Sequence, residues 1–127
     1  TLHTNDAASA VARLIDLGVE PFLVASSLSA VLAQRLVRKV HGECRGTGCD
    51  GCLGTGYKGR TAVFELLALD ADLRDLVGQR ASTMHIKAAA ERKGMVSLKH
   101  AGEHLARAGI TTLEEVARVI ESVEELL

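Results

Sequence analysis

The 127-residue sequence predicts a mostly α-helical chain with a short β element. Two observations carry that prediction. Hydrophobic residues make up 47% of the chain but aromatics only 2%, so Leu, Val, Ile and Ala must build the core. Such a core suits packed helices better than a β-sandwich. Apolar residues also recur at three- and four-residue spacing along most of the chain, and Thr61-Ala-Val-Phe-Glu-Leu-Leu67 reads as a short strand.

Taken in order, Thr1 to Asn5 reads as a strand end entering a loop. Asn5 and Asp6 can cap a first helix through Val11, Leu14 and Ile15, because their side-chain oxygens accept its unpaired N–H groups. Gly18 stops that helix, and Pro21 opens a second one, where its missing donor costs nothing. Val24, Leu28, Val31, Leu32 and Leu36 continue the second helix at helical spacing. From His41 to Gly59 glycines crowd the chain, and no helix survives them. Beyond the strand, three helical faces follow: Leu73, Leu76 and Val77; Ile86, Ala89 and Ala90; Leu98, Ala101 and Leu105. Thr112-x-x-Glu115 forms a capping box for a last helix with the stripe Leu113, Val116, Ala117, Ile120 and Val123. These stripes are read as core.

Charge excludes some functions. Lys and Arg number 15 against 16 Asp and Glu, a net charge of −1, which offers neither a nucleic-acid footprint nor a single-sign field for a membrane surface. The uncharged run from Pro21 to Ala33 is too short to span a bilayer and holds three serines, so direct membrane insertion is not expected. The chain starts at Thr1 without the order of a signal peptide, and is expected to be a piece of a larger cytoplasmic protein.

The glycine-rich loop writes one eight-residue phrase twice. His41-Gly-Glu-Cys44-Arg-Gly46-Thr-Gly48 runs directly into Cys49-Asp-Gly-Cys52-Leu-Gly54-Thr-Gly56. Each copy is ligand-x-x-ligand-x-Gly-x-Gly. Two ligands so spaced grip one edge of a tetrahedral zinc ion, and the second copy supplies the opposite edge. The glycines let the chain turn sharply and aim bare amides at the sulfurs. His41, Cys44, Cys49 and Cys52 are therefore the expected zinc ligands. Clustered thiols of odd number fit a reducing compartment better than a disulfide framework. A redox pair of Cys49 and Cys52 is the alternative, although such pairs open a helix and these lie among glycines. Gly54-x-Gly56-x-x-Gly59 matches a dinucleotide fingerprint only in letters, since it precedes a strand and no helix follows. No phosphate loop of the Gly-x-x-x-x-Gly-Lys-Ser/Thr type is present.

With these pieces in hand, the chain resembles the ATPases that power type II secretion and type IV pilus extension. Thr1-Leu-His3-Thr-Asn5 resembles their histidine box. The likeness continues through Ala12-Arg13-Leu14, Gly18-Val-Glu-Pro21-Phe22, Ala33-Gln-Arg35-Leu-Val-Arg38 and the paired metal ligands. It goes on through Gly56-Tyr-Lys-Gly-Arg60 with Glu65-Leu66, Gly94-Met-Val-Ser-Leu98 and Gly109-Ile-Thr-Thr-Leu-Glu-Glu-Val116. Two departures stand out: His41 replaces a cysteine in the first pair, and only four residues separate Cys44 from Cys49 where the family has a few tens.

The resemblance implies a cytoplasmic homo-hexameric motor that hydrolyses ATP with Mg against inner-membrane platform proteins of a secretion or pilus system. Residues 1–40 would end the RecA-like ATPase core, 41–60 form the zinc knuckle, and 61–127 a strand plus a C-terminal helical subdomain. The phosphate loop would lie upstream, leaving this chain alone inactive. His3 becomes the catalytic candidate beside the terminal phosphate, with Thr1 and Thr4 supporting the nucleotide. Arg13, Arg35, Arg38 and Arg60 are expected to be solvated or salt-bridged, and His85, His100 and His104 are given no role. The second reading is a non-enzymatic zinc module, since the paired Cys-x-x-Cys-x-Gly-x-Gly units also resemble the cysteine-rich region of DnaJ-type chaperones, over the loop only.

Overall fold

The computed structural model describes Leu2 and residues 4–121. Two helices, α1 (Ala7–Asp16) and α2 (Pro21–Ser27), precede strand β1 (Ala30–Val40). The glycine-rich loop, with one short 3-10 turn at Asp50–Cys52, leads to strand β2 (Tyr57–Ala68). Helices α3 (Ala71–Gly78), α4 (Thr83–Arg92), α5 (Leu98–Arg107) and α6 (Leu113–Val116) follow, the last widening into a π turn at Ala117–Glu121. None of the described helices is long and apolar enough to cross a membrane.

The helices start and stop where the residues dictate. Asp6 caps α1 by accepting the Ser9 N–H at 2.8 Å, and Gly18, at φ 101°, takes the left-handed position that ends it. Pro21 sits at the first turn of α2. Asp70, Ser82 and Thr112 cap α3, α4 and α6 in the same way as Asp6 caps α1.

Two sequence expectations fail. The second helix does not run on to Leu36: it ends at Ser27, and Ala30–Val40 is a strand. The stretch satisfies both periods. Val24, Leu28, Val31 and Leu32 fit a helix, but Val31, Ala33, Arg35 and Val37 alternate with more exposed neighbours and fit a strand equally well. The partner strand decides, because β1 and β2 form a two-stranded sheet. The β element is therefore long, 11 and 12 residues, and not the short one expected. Leu69 N–H donates to Ser29 O at one end and His41 N–H to Gly56 O at the other, which makes the pair antiparallel. The second failure is the capping box. Thr112 accepts the Glu115 N–H at 3.1 Å, but the Glu115 carboxylate turns away from the N-cap toward Arg38. Val123 lies outside the described residues.

The chain forms two compact units, residues 1–33 with 65–97 and residues 34–64 with 98–127, so both strands contribute to both. In the first, Ala7, Ala8 and Val11 of α1 and Val24 and Ala25 of α2 pack with Leu67, Leu73, Val77, Ile86 and Ala90. Each fully buried Leu or Ile there contributes about 1.5–3 kcal/mol. Glu65 is the exception in this apolar core: its buried carboxylate accepts the Ala7 N–H at 2.7 Å, so a side chain from β2 holds the start of α1. In the second unit, Val37, Val63, Leu98, Val116 and Ile120 are buried. Arg38 lies 4.2 Å over the Tyr57 ring, and the Tyr57 and Thr112 hydroxyls meet at 2.7 Å.

Candidate metal centre

The loop between the strands folds as two matching knuckles. Thr47 and Thr55 hydroxyls donate to the carbonyls of Cys44 and Cys52 at 2.7 and 2.8 Å. Gly48 N–H donates to Cys44 Sγ at 3.4 Å, and Gly56 N–H to Cys52 Sγ at 3.2 Å. The eight-residue repeat is thus a structural repeat. Only glycine fits at its eighth position: φ is 98° at Gly48 and 82° at Gly56, and a Cβ on either would collide with the opposite copy's backbone, at Gly54 O or Gly46 O. The two copies pack backbone to backbone.

That packing brings four ligand atoms together. His41, Cys44, Cys49 and Cys52 each offer one, all within 4.8 Å of one another. Cys52 Sγ lies 3.8 Å from both Cys44 Sγ and Cys49 Sγ, and His41 Nδ1 lies 3.6 Å from Cys44 Sγ and 3.3 Å from Cys49 Sγ. A tetrahedron with Zn–S near 2.3 Å and Zn–N near 2.0–2.1 Å has edges of about 3.8 Å between sulfurs and about 3.6 Å between nitrogen and sulfur. These four separations fit a tetrahedral ion of zinc's size.

The electrostatics favour the thiolate at two of the three cysteines. Burial pushes the Cys52 thiol up, but the Cys49 and Gly56 N–H donors outweigh it and bring its pKa down to about 6. Burial opposes Cys44 too, yet the Gly48 N–H and His41 leave it below its ordinary value. Cys49 goes the other way: the Cys52 backbone favours its thiolate, but burial and the neighbouring sulfurs raise it. His41 is raised, chiefly by its hydrogen bond to Cys44.

Among the residues predicted for a nucleotide, Thr4 is half-buried just before α1, while Thr1 and His3 lie outside the described residues. Of the arginines, Arg38 is salt-bridged to Glu115 at 3.0 Å. Sequence reasoning passed over Glu43, whose carboxylate lies 4.0 Å from His41 Nε2. Its only signal in the sequence is its place two positions after His41.

Comparison with known proteins agrees over the length of the chain. The family described as Type II/IV secretion system protein matches residues 1–118. The chain belongs to that family. It is 50% identical to Type II secretion system protein HxcR of Pseudomonas aeruginosa, over 94% of this chain and 27% of the relative. It is 44% identical to Type IV pilus assembly ATPase PilB of Thermus thermophilus (95% and 17%) and 41% identical to Type II secretion system ATPase E of Vibrio cholerae (94% and 28%). The chain therefore spans less than a third of the length of these relatives. Its fold is similar to that of the pilus retraction motor PilT solved with ADP, with a TM-score of 0.67 at 22% identity, over 93% of this chain and 30% of that one.

Proposed function

We propose that this chain is the C-terminal part of a hexameric motor ATPase that powers type II secretion or type IV pilus assembly. The observation that carries the reading is the family match over residues 1–118, together with relatives named as ATPases of both systems. On this reading residues 1–40, with β1, complete a RecA-like core, 41–60 hold the knuckle and the start of β2, and 61–127 the rest of β2 and the helical subdomain. ATP and Mg would be held by a phosphate loop upstream, so these 127 residues alone neither bind nor turn over ATP. The motor would work in the cytoplasm, at the inner membrane, through platform proteins. The chaperone-like reading is not favoured, because that likeness covers only the loop.

The knuckle is proposed as a structural zinc site of His41, Cys44, Cys49 and Cys52. All four positions are taken by protein, as in closed structural sites, and zinc there would fasten the two halves of the loop.

His3 is proposed to act on the transition state, with Thr1 and Thr4 in support. An imidazole that meets only the terminal phosphate would make a hydrogen bond that strengthens as charge shifts during transfer. The test is His3→Ala in the full-length protein. The expected outcome is a kcat lower by roughly thirty- to thousandfold, the equivalent of about 2–4 kcal/mol, with nucleotide affinity nearly unchanged. Collapsed affinity with intact turnover at saturation would make His3 a binding residue instead.

A further inference from the structure

We propose that His41 presents Nδ1 to the metal and that Glu43 is a positioning residue, holding the opposite ring nitrogen in its protonated form. The proposal rests on the zinc reading above and goes beyond it.

The ring's two nitrogens face different chemistry. Nδ1 points among the sulfurs, 3.6 Å from Cys44 Sγ and 3.3 Å from Cys49 Sγ. Nε2 points outward, 4.0 Å from Glu43 Oε2. A neutral imidazole carries one N–H, and a metal takes the nitrogen without it, so ligation through Nδ1 requires the proton on Nε2. A carboxylate facing Nε2 stabilises that tautomer and makes Nδ1 a stronger donor.

The two side chains differ in freedom. His41 is fixed, its side chain 9% exposed, while Glu43 is 85% exposed and needs only a small swing to shorten 4.0 Å to a hydrogen bond. Gly51 leaves the space for this arrangement. A Cβ there would sit 3.1 Å from His41 Cε1 and 3.7 Å from Glu43 Oε2, so the ring edge and the carboxylate both pass over bare backbone.

Charge gives the pairing a reason. Three thiolates and a neutral imidazole around a divalent cation sum to −1, where four thiolates would give −2. Glu43 returns the fourth negative charge, placed behind the ligand instead of on the metal.

The experiment measures zinc affinity by competition with a chromophoric chelator, in the intact chain, for wild type, E43A, E43Q, H41C and the H41C/E43A double variant. E43A should weaken zinc about tenfold, at the lower end of what such outer partners contribute, because the carboxylate is exposed. E43Q should fall between, since its amide oxygen still accepts the N–H. With cysteine at position 41 there is no ring to orient, and adding E43A should change affinity by less than about twofold, the residue of a screened charge. Nitrogen-15 NMR of the zinc-loaded wild type should find Nδ1 metal-bound and Nε2 protonated. An equal loss in both backgrounds, no loss in either, or ligation through Nε2 overturns the proposal while leaving the zinc site intact. A wild type that takes up no zinc overturns the zinc reading with it.

Discussion

Glu115 is the residue whose role is best defined by its partners. Its carboxylate accepts the Arg38 N–H at 2.7 Å, both Arg38 guanidinium donors at 3.0 and 3.2 Å, and Arg118 Nε at 2.8 Å. Arg118 first, then Arg38, hold it well below the usual carboxylate range against the pull of burial, at about 2. A group depressed in the folded state stabilises fully above its unfolded value of 4.5, and the contribution drains away as pH falls toward 2. The arginine side chains are 41% and 60% exposed, which trims the gain from the ion pairs. What remains is roughly 2–3 kcal/mol, and E115A should cost about that at neutral pH, since it also orphans the Arg38 amide. Circular dichroism against pH checks it. Wild type should lose its margin over E115A between pH 4.5 and 2; a constant gap would assign the loss to packing alone.

At the scale of elements, α5 meets α6 and the π turn without room to spare. A Cβ on Gly102 would sit 2.9 Å from Val116 Cγ1 and 3.1 Å from Ile120 Cδ1. Alanine would gain about 1 kcal/mol of helix propensity, but overpacking costs about 1–3. Val116 and Ile120 are buried and cannot swing aside, so G102A should be destabilised by about 1 kcal/mol in a urea melt. A gain instead would mean the contact relaxes freely. The sequence made α1, α3 and α4 legible from their stripes, and α1 from its cap as well. β1 was not legible: its residues satisfy two periods, and only pairing with β2, some thirty residues on, breaks the tie. The convergence of His41, Cys44, Cys49 and Cys52 was legible from their spacing. The reach of Glu115 to Arg38 was not, since an acidic residue at a helix start has an ordinary local explanation, and Glu43 in its loop offered only its nearness to His41 in sequence.

For the molecule as a whole, the decisive quantity is bound metal. Protein purified without chelator should carry about one equivalent of zinc per chain by elemental analysis, and a C49S/C52S pair should carry none. Stripping the metal should lower the melting temperature, since only the folded loop assembles the four ligands. A metal-free chain that melts at the same temperature would reduce the cluster to three incidental thiols.

The His41–Gly56 backbone bond that closes the base of the knuckle also makes this loop a detachable cassette. Everything between those residues begins and ends at one point on the strands, so its length can change without shifting their register. Lengthening a flexible stretch between the two ligand pairs adds only about 0.6 kcal/mol of closure entropy per doubling. A lineage can therefore shorten or extend this segment, and trade a cysteine for a histidine inside it, while the paired strands that carry it keep every rung.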